Sequence, residues 1–491
     1  MKSTGLWYQI RSMNRVFWVQ NWMELLERFA YYGVRTVLPT YMVLSIEKGG
    51  PEFNHIQKGN IYLWWAVVQS FLPMFTGGFA DRYGYKRTIA VAIALKVIGY
   101  GMMAHFMDYG GFFAGCLMLA AGTAIFKPGV QGTLATVLDE KHASVGWGIF
   151  YQCVNIGGFV GPILAGHLRL LDWKYVFWVC AGIVSLNYIS FLFYKDPKPE
   201  VQSTDSPWKV FKDSVLGFFE PRLIAFIVIF SGYWLMFYQL YDILPNFIDD
   251  WVNTGVVLRA VEQNASFLVD WGVIAHDAGR VNQESMINLN AFMIIFFMVF
   301  VARLTGLVRP LVAIIIGIAI SCLGIFLLSV SMSGWFCLLA IAVFTFGEMA
   351  ASPKKLEYLS SIAQPGKKGL FLGYANAPVG IGWGIGSTLA GHLYEKGGDK
   401  VNLARDYLTQ SVGLDRFLVD ALPKEKIMSE ITFAMKETPD AVTQMLWDTR
   451  APYSMWYTFT AIGAASAIGM IVYNYVIRRA DAKKAALREE K

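Results

Sequence analysis

Charge is scarce in this chain. Only 16% of its 491 residues are Asp, Glu, Lys or Arg, against roughly 25% in soluble domains. Cysteine is scarcer still: Cys116, Cys153, Cys180, Cys322 and Cys337 lie singly inside apolar stretches. Their number is odd and no CxxC occurs, which excludes a disulfide framework or a zinc site as the organising element. HExxH, GxSxG and phosphate-loop patterns are missing and no Cys–His cluster forms, so no enzyme chemistry, metal or organic cofactor is expected. No apolar h-region accompanies Lys2, Arg11 and Arg15, so no cleavable leader is expected. What is abundant is apolar surface: 55% hydrophobic residues, 15% aromatic and a mean hydropathy of +0.42. These values exclude disordered and collagen-like classes and describe a polytopic membrane protein whose partner is the lipid bilayer. The net charge of +6 is read through loop position, and no nucleic-acid partner is implied.

A spanning helix needs about 20 mostly apolar residues. Twelve such segments are predicted, over 15–45, 58–80, 88–107, 112–138, 146–168, 174–195, 222–247, 286–303, 310–331, 334–362, 368–395 and 454–479. The first and tenth are polar enough for a hydropathy window to miss. Basic residues gather in the turn from Asp81 to Arg87, in the turn from Arg303 to Arg309, at Lys367 and Lys368, and in the tail at Arg478, Arg479, Lys483 and Lys484. With an even helix count these share one side with both termini. The positive-inside rule makes that side cytoplasmic. The cell (inner) membrane is the expected location, with loops 248–285 and 396–453 outside.

The polar, Pro-bearing stretch 196–221 reads as a cytoplasmic linker between six-helix halves 1–195 and 222–491. The halves repeat. Leu164-Ala165-Gly166-His167-Leu168 recurs as Leu389-Ala390-Gly391-His392-Leu393, and Ala80, Gly84 and Arg87 recur as Ala302, Gly306 and Arg309. Two matches at nearly one offset argue for duplication in the same orientation. That is the all-α, parallel six-plus-six arrangement of major-facilitator transporters.

An ionised group at the bilayer centre costs about 2.5–3.5 kcal/mol even on a lenient scale. The first span nevertheless carries Glu24, Glu27, Arg28 and Arg35, which must pair or face water. Glu24 and Arg28 share a face by their i,i+4 spacing, and Glu27 and Arg35 lie two turns apart on roughly one side. Further polar groups inside spans are Lys127, Asn155, Asp242, Asn290 and Glu348. Pro128 after Lys127 marks a site where a bend opens a cavity. Lys96 is read as packing or snorkelling, because its own helix offers no partner. His167 and His392 are read as packing histidines at helix ends. Gly380, Gly382, Gly384 and Gly386, like Gly157 and Gly161, are read as close helix contacts.

At this point the residues resemble a known family. Glu24-Leu25-Leu26-Glu27-Arg28-Phe29-Ala30-Tyr31-Tyr32-Gly33 fills the ExxERFxYYG motif of proton-dependent oligopeptide transporters. Gly77-Gly78-Phe79-Ala80-Asp81-Arg82-Tyr83-Gly84, continued by Lys86 and Arg87, resembles that family's first cytoplasmic loop, which the wider superfamily shares. Phe126-Lys127-Pro128, the stretch Phe150 to Gly157 around Asn155, Leu289-Asn290 and Gly347-Glu348-Met349-Ala350-Ala351-Ser352-Pro353 resemble its elements on helices 4, 5, 8 and 10. Ala291 stands where the helix 8 element has proline.

The resemblance implies a proton-coupled symporter of di- and tripeptides working by alternating access, with the proton as coupling ion. By it Arg28 and Lys127 receive the peptide carboxylate, while Asn155, Asn290 and Glu348 receive its amino end and backbone. Tyr31, Tyr32 and Trp234 line side-chain pockets, and Glu24 and Glu27 with Arg28 carry the coupling. The alternative is another small anionic or zwitterionic metabolite on the same scaffold. Two departures stand out. Stretch 196–221 is too short for the two extra helices that many bacterial members insert. On helix 7, Tyr238 occupies the place of an acid, and Asp242 follows one turn later. We expect an external gate shifted by that turn, with Arg35 meeting Asp242 and Tyr238 giving only a hydroxyl to the cavity.

Overall fold

The computed structural model describes residues 6–73, 76, 80, 83–139, 142–197, 220–362 and 374–489. Within them, helices account for all twelve expected spans. In the first half these are α1 (Arg15–Val43), α2 (His55–Phe71), α3 (Tyr85–His105), α4 (Tyr109–Val137), α5 (Ala143–Leu171) and α6 (Trp173–Ser185). The second half holds α7 (Pro221–Phe237), α8 (Leu289–Thr305), α9 (Pro310–Leu327), α10 (Gly334–Ala351) and α11 (Ala377–Gly397). The last span, which follows a long polar segment, is α16 (Ser454–Glu489). Asp81, Arg82 and most of stretch 196–221 lie outside the described residues.

Nine helices among the described residues are long and apolar enough to cross a membrane by composition. The tenth span is one of them, contrary to expectation; the first, second and eleventh are not. Span one fails on its charges, and span eleven is diluted by glycine. Helix α4 continues unbroken through Pro128. The basic turn before α3 depends on Gly84, whose φ of 93° disfavours any side chain. A Cβ there would also meet the Asp196 carboxylate. Lys86 donates to the carbonyls of Phe191 (2.6 Å) and Tyr194 (3.2 Å), fastening this turn to the end of the sixth span.

Small residues set how closely the spans approach. A Cβ on Gly161 would strike the Phe29 carbonyl, and one on Gly157 would lie 2.7 Å from the Leu25 carbonyl. Helices α1 and α5 therefore touch backbone to backbone, as expected for these glycines. Helix α11 does the same on two faces. Gly382 and Gly386 meet α7, while Gly380 and Gly384 meet α2 of the other half.

The long polar segment before the last span is a folded cap of α12 (Lys400–Gln410), α13 (Arg416–Asp420), α14 (Lys424–Met435) and α15 (Pro439–Arg450). Leu403, Leu408, Ile427, Ile431, Val442 and Leu446 pack beneath it into the core of the second half. The cap also grips the first half. Ser45 donates to Glu425 at 2.6 Å, Lys48 pairs with Glu425 at 2.6 Å, and Lys424 donates to the Val43 carbonyl at 3.0 Å. His55 at the start of α2 meets Asp399 at 3.0 Å, and its backbone N–H donates to Glu395 at 2.7 Å. We call this face the cap side and the opposite one the termini side.

Asp250, on a helical extension beyond α7, accepts from the Tyr394 hydroxyl at 2.7 Å. Burial, and then the neighbouring Asp399 carboxylate, push its carboxyl up to about 6. Asp399 goes the other way. Burial would raise it, but His55, Lys424 and the Asn402 N–H hold it well below the usual carboxylate range. The native chain thus binds the Asp250 proton more tightly than the unfolded chain does. That contribution is lost as pH rises through a window of about 4 to 6. Asp250→Asn should flatten the dependence of the melting temperature on pH in this window and raise it at pH 7. Thermal unfolding in detergent at stepped pH reads this directly, and an unaltered slope would count against it.

Candidate functional site

Helix α1 starts where the Asn14 side chain accepts from the Val16 N–H. It then presents Glu24, Glu27, Arg28, Tyr31 and Arg35 on its buried face. Arg28 lies between two acids: Nε is 3.2 Å from Glu24 Oε1, and it also donates to Glu27 Oε2. The second oxygen of Glu27 is held by Lys96. This corrects the reading of Lys96 as a packing or snorkelling residue. Its ammonium is fully buried and ion-paired across helices. Arithmetic within α3 finds no partner because the partner is on α1. Two acids and two cations form a formally neutral quartet. One guanidinium nitrogen of Arg28, Nη2, and one oxygen of Glu24, Oε2, are buried without a hydrogen-bond partner. The guanidinium also lies 5.0 Å from the Tyr31 ring centre and 5.9 Å from that of Tyr32.

On the far side of Tyr32 is a cavity of about 160 Å³ between the halves. Tyr32, Tyr151 and Asn155 line it from the first half, and Tyr241, Asn290 and Glu348 from the second. Asn290 donates to Glu348 Oε2 at 2.7 Å and accepts from the Tyr241 hydroxyl at 2.9 Å. Asn155 donates to the Tyr151 carbonyl of its own helix at 2.9 Å. Of the expected binding residues, Tyr32, Asn155, Asn290 and Glu348 come together here. Arg28 and Tyr31 stand one layer behind the wall. Lys127 and Trp234 do not line this cavity.

Arg35 and Asp242 form an ion pair between α1 and the end of the seventh span, so the geometry of the shifted gate is present. Asp242 Oδ2 also accepts from Trp383 Nε1 at 3.0 Å and from the Ser387 hydroxyl at 2.6 Å. The Arg35 guanidinium is 4.3 Å from the Tyr62 ring centre and 5.2 Å from that of Trp383. The expected role of Tyr238 is corrected. Its ring stacks on Trp383, with centres 4.4 Å apart and planes at 7°, so its aromatic face has a packing role beyond any hydroxyl.

Three further fastenings were not singled out from the sequence. Lys58 donates to the Asp242 carbonyl at 3.1 Å and to Asn246 Oδ1 at 2.6 Å. Arg169 at the end of α5 pairs with Glu284 before α8 at 2.6 Å. Asn288 donates to the Phe159 carbonyl at 2.9 Å. Each joins the two halves on the cap side, so the structure is closed there. A lysine or arginine near a helix end looks in sequence like a snorkelling residue, and only the partner's position reveals the bond. His167 and His392 accept packing roles beside the carbonyls of Gly272 (2.8 Å) and Thr388 (2.9 Å). Among the described residues no cluster of metal-ligating side chains occurs.

A bundle of spans in two halves, with a polar cavity between them and one mouth fastened, defines a membrane transporter. The sequence profile of the Major Facilitator Superfamily matches residues 23–387, and the chain belongs to that superfamily. Among curated proteins it is 23% identical over 343 residues to the multidrug resistance protein MdtH of Photorhabdus laumondii, covering 67% of this chain and 76% of that one. It is 27% identical over 221 residues to the uncharacterized transporter YclF of Bacillus subtilis, covering 43% of each. Its fold is that of a peptide transporter POT crystallised with sulfate (TM-score 0.66, 15% identity, 97% of this chain and 96% of that one). The nucleoside transporter NupG shares the fold as well (TM-score 0.63, 14% identity, 93% and 99% covered).

Removing one member of a buried pair costs about 3–5 kcal/mol because the other is stranded. Lys96→Met should therefore destabilise the protein by that order, and Glu27→Gln combined with it should cost less than the sum, in a double-mutant cycle by thermal unfolding. Asp242→Asn should widen spin-label distances across the cap side. The exchanged pair Arg35→Asp with Asp242→Arg should narrow them again. Distances unchanged by Asp242→Asn would show that this pair does not fasten the mouth.

Proposed function

We propose that this chain is a proton-coupled symporter that imports short peptides by alternating access. Its termini would face the cytoplasm of a cell (inner) membrane, and it would be neither an enzyme nor the carrier of a resident cofactor. The observation that carries the reading is the quartet of Glu24, Glu27, Arg28 and Lys96 behind the Tyr32 wall. Across the cavity stands Glu348, held by Asn290. A zwitterion fits such a site: its ammonium meets Glu348 and its carboxylate draws on Arg28. While Arg28 is embraced by both glutamates its charge is spent internally. Protonating one glutamate leaves the quartet with a net positive charge, which an incoming carboxylate neutralises. Proton uptake and substrate binding then favour one another, and the coupling is reciprocal.

In this scheme the cap side is the outer mouth, and the structure stands in the outward-closed state. A second reading is supported by the comparisons, because the superfamily fold also serves a nucleoside transporter and relatives named for multidrug resistance. On that reading another small metabolite occupies the same site. Competition of di- and tripeptides against nucleosides and free amino acids, in proteoliposomes with an acid-outside gradient, separates the two.

The coupling itself is read from Glu27→Gln. This variant should lose uphill, proton-driven accumulation of a labelled dipeptide while keeping exchange of dipeptide across the membrane. Full acid-driven accumulation by the variant would refute the assignment of the proton to this cluster.

A further inference from the structure

A second cavity, of about 670 Å³, lies away from the site between the halves. It is formed by the start of α1 and the end of the sixth span, on the termini side. Trp18 and Trp22 make one wall. They are four residues apart, so both rings stand on one face of α1, and both are half-exposed. Ile189 and Phe193 make the other wall. They belong to the short helical turns Asn187–Ser190 and Phe191–Phe193 that follow α6. This wall is fastened from behind. Asn187 donates to the Met23 carbonyl at 3.3 Å, the Tyr188 hydroxyl donates to the Ala90 carbonyl at 2.9 Å, and Lys86 donates to the Phe191 carbonyl at 2.6 Å. The result is a fixed groove on the outside of the bundle, open where a membrane protein meets lipid.

The groove has two kinds of chemistry. Its length is apolar, and no acidic residue lines it. At its rim stands Arg15, the first residue of α1, whose guanidinium lies 5.6 Å from the Phe193 ring centre. Arg28, Arg35 and Arg169 each have a carboxylate partner. Arg15 is exposed and makes no ion pair among the described residues. Lys195, two residues after Phe193, is exposed and makes none either. Tryptophan favours the boundary between hydrocarbon and headgroups, and a planar guanidinium matches a phosphate through two parallel hydrogen bonds. An apolar slot with an unanswered cation at its mouth suits an amphiphile with an anionic head. A water-soluble anion would leave the slot unused. A headgroup carrying its own ammonium would meet repulsion from Arg15 and Lys195.

We propose that this groove binds an anionic phospholipid of the termini-side leaflet. The lipid phosphate pairs with Arg15. One acyl chain lies between Trp18 and Trp22 on one side and Ile189 and Phe193 on the other. The bound lipid braces the foot of α1 against the end of the sixth span, next to the bond from Asn187 to Met23. Trp22 precedes Glu24 by two residues, so the brace adjoins the helix segment that carries the buried quartet. Basic residues on this side add a general attraction for anionic lipid, and the groove converts it into one located site.

The test uses purified full-length protein with equal amounts of phosphatidylglycerol and phosphatidylcholine of the same acyl chains, the retained lipid being counted by native mass spectrometry. One phosphatidylglycerol per chain should be retained, with about tenfold preference over phosphatidylcholine for one charge-assisted contact. Arg15→Gln should bring that preference close to one, and Arg15→Lys should keep part of it. Ile189→Trp, which fills the groove, should lose the retained lipid of either kind. A preference that survives Arg15→Gln, or lipid retention unaltered by Ile189→Trp, would overturn the site. Thermal unfolding in detergent separates the two sources of phosphate. Phosphatidylglycerol should raise the melting temperature of the native protein and inorganic phosphate should not. An equal rise with inorganic phosphate would assign Arg15 to a free anion and overturn the lipid. Neither measurement reads transport, so the result stands apart from the peptide reading above.

Discussion

Charge buried away from water has to be answered by charge, and that constraint shapes the first span and everything packed around it. Four ionisable residues on α1 would be prohibitive in lipid. Glu24, Glu27 and Arg28 become tolerable because Lys96 enters from α3 to complete a neutral quartet. The approach is possible because Gly122 on α4 leaves room: a Cβ there would lie 2.6 Å from the Lys96 Cγ. Gly157 and Gly161 let α5 close the other flank against the α1 backbone. Replacing such a cluster with apolar groups is often neutral or stabilising. In the proposed function its cost serves a site that changes its charge rather than cohesion.

The same rule explains how the cap side is fastened. Arg35 and Asp242 are buried from opposite halves, and the second carboxylate oxygen of Asp242 is used as well. Asp242 takes donors from Trp383 and Ser387, and its carbonyl takes Lys58. Aromatic rings of Tyr62, Trp383 and Tyr238 cover the pair from both halves. Arg169 and Glu284 repeat the device at the α5 and α8 corner, and the cap adds Glu425 and Asp399 against the end of α1 and the start of α2. Opening this mouth strands each charge unless water replaces its partner. A transporter that visits both states needs water to compensate nearly fully, since a gap of more than a few kcal/mol would leave one state unpopulated.

Much of this was readable from residues alone, for reasons that also explain the failures. The spans come within a few residues because the bilayer imposes length and apolarity on each segment independently. Arg35 and Asp242 were readable because Asp242 lies one turn beyond the place where the resembled family has its acid, and Arg35 lies about two turns beyond Arg28. Lys96 was misread because helical periodicity relates residues of one helix and is silent about which helices adjoin. Lys58 and Arg169 carry the same ambiguity, since a basic residue near a helix end reaches water as easily as it reaches a partner. Tyr238 is the opposite case: its place on the helix shows a missing acid, while the stacking surface that its ring provides to Trp383 depends on a partner 145 residues away in the chain.

The placement of the quartet relative to the cavity suggests why coupling needs no large movement at the first step. Arg28 does not line the cavity as it stands; Tyr32 does, with the guanidinium behind its ring. An unpartnered Nη2 and an unpartnered Glu24 oxygen show that the quartet does not satisfy every donor and acceptor it contains. A cluster in that condition is poised, because exchanging one glutamate contact of Arg28 for a substrate carboxylate preserves the number of charge-assisted bonds. In the proposed cycle the proton makes that exchange neutral in charge as well. Without it, an arriving carboxylate would add a third negative charge beside two cations in a low-dielectric site. With it, two negative charges face two positive ones both in the empty cluster and in the cluster that holds proton and substrate together. Charge balance at Arg28 then makes substrate without proton, and proton without substrate, the two costly states. Avoidance of both is what a symporter requires.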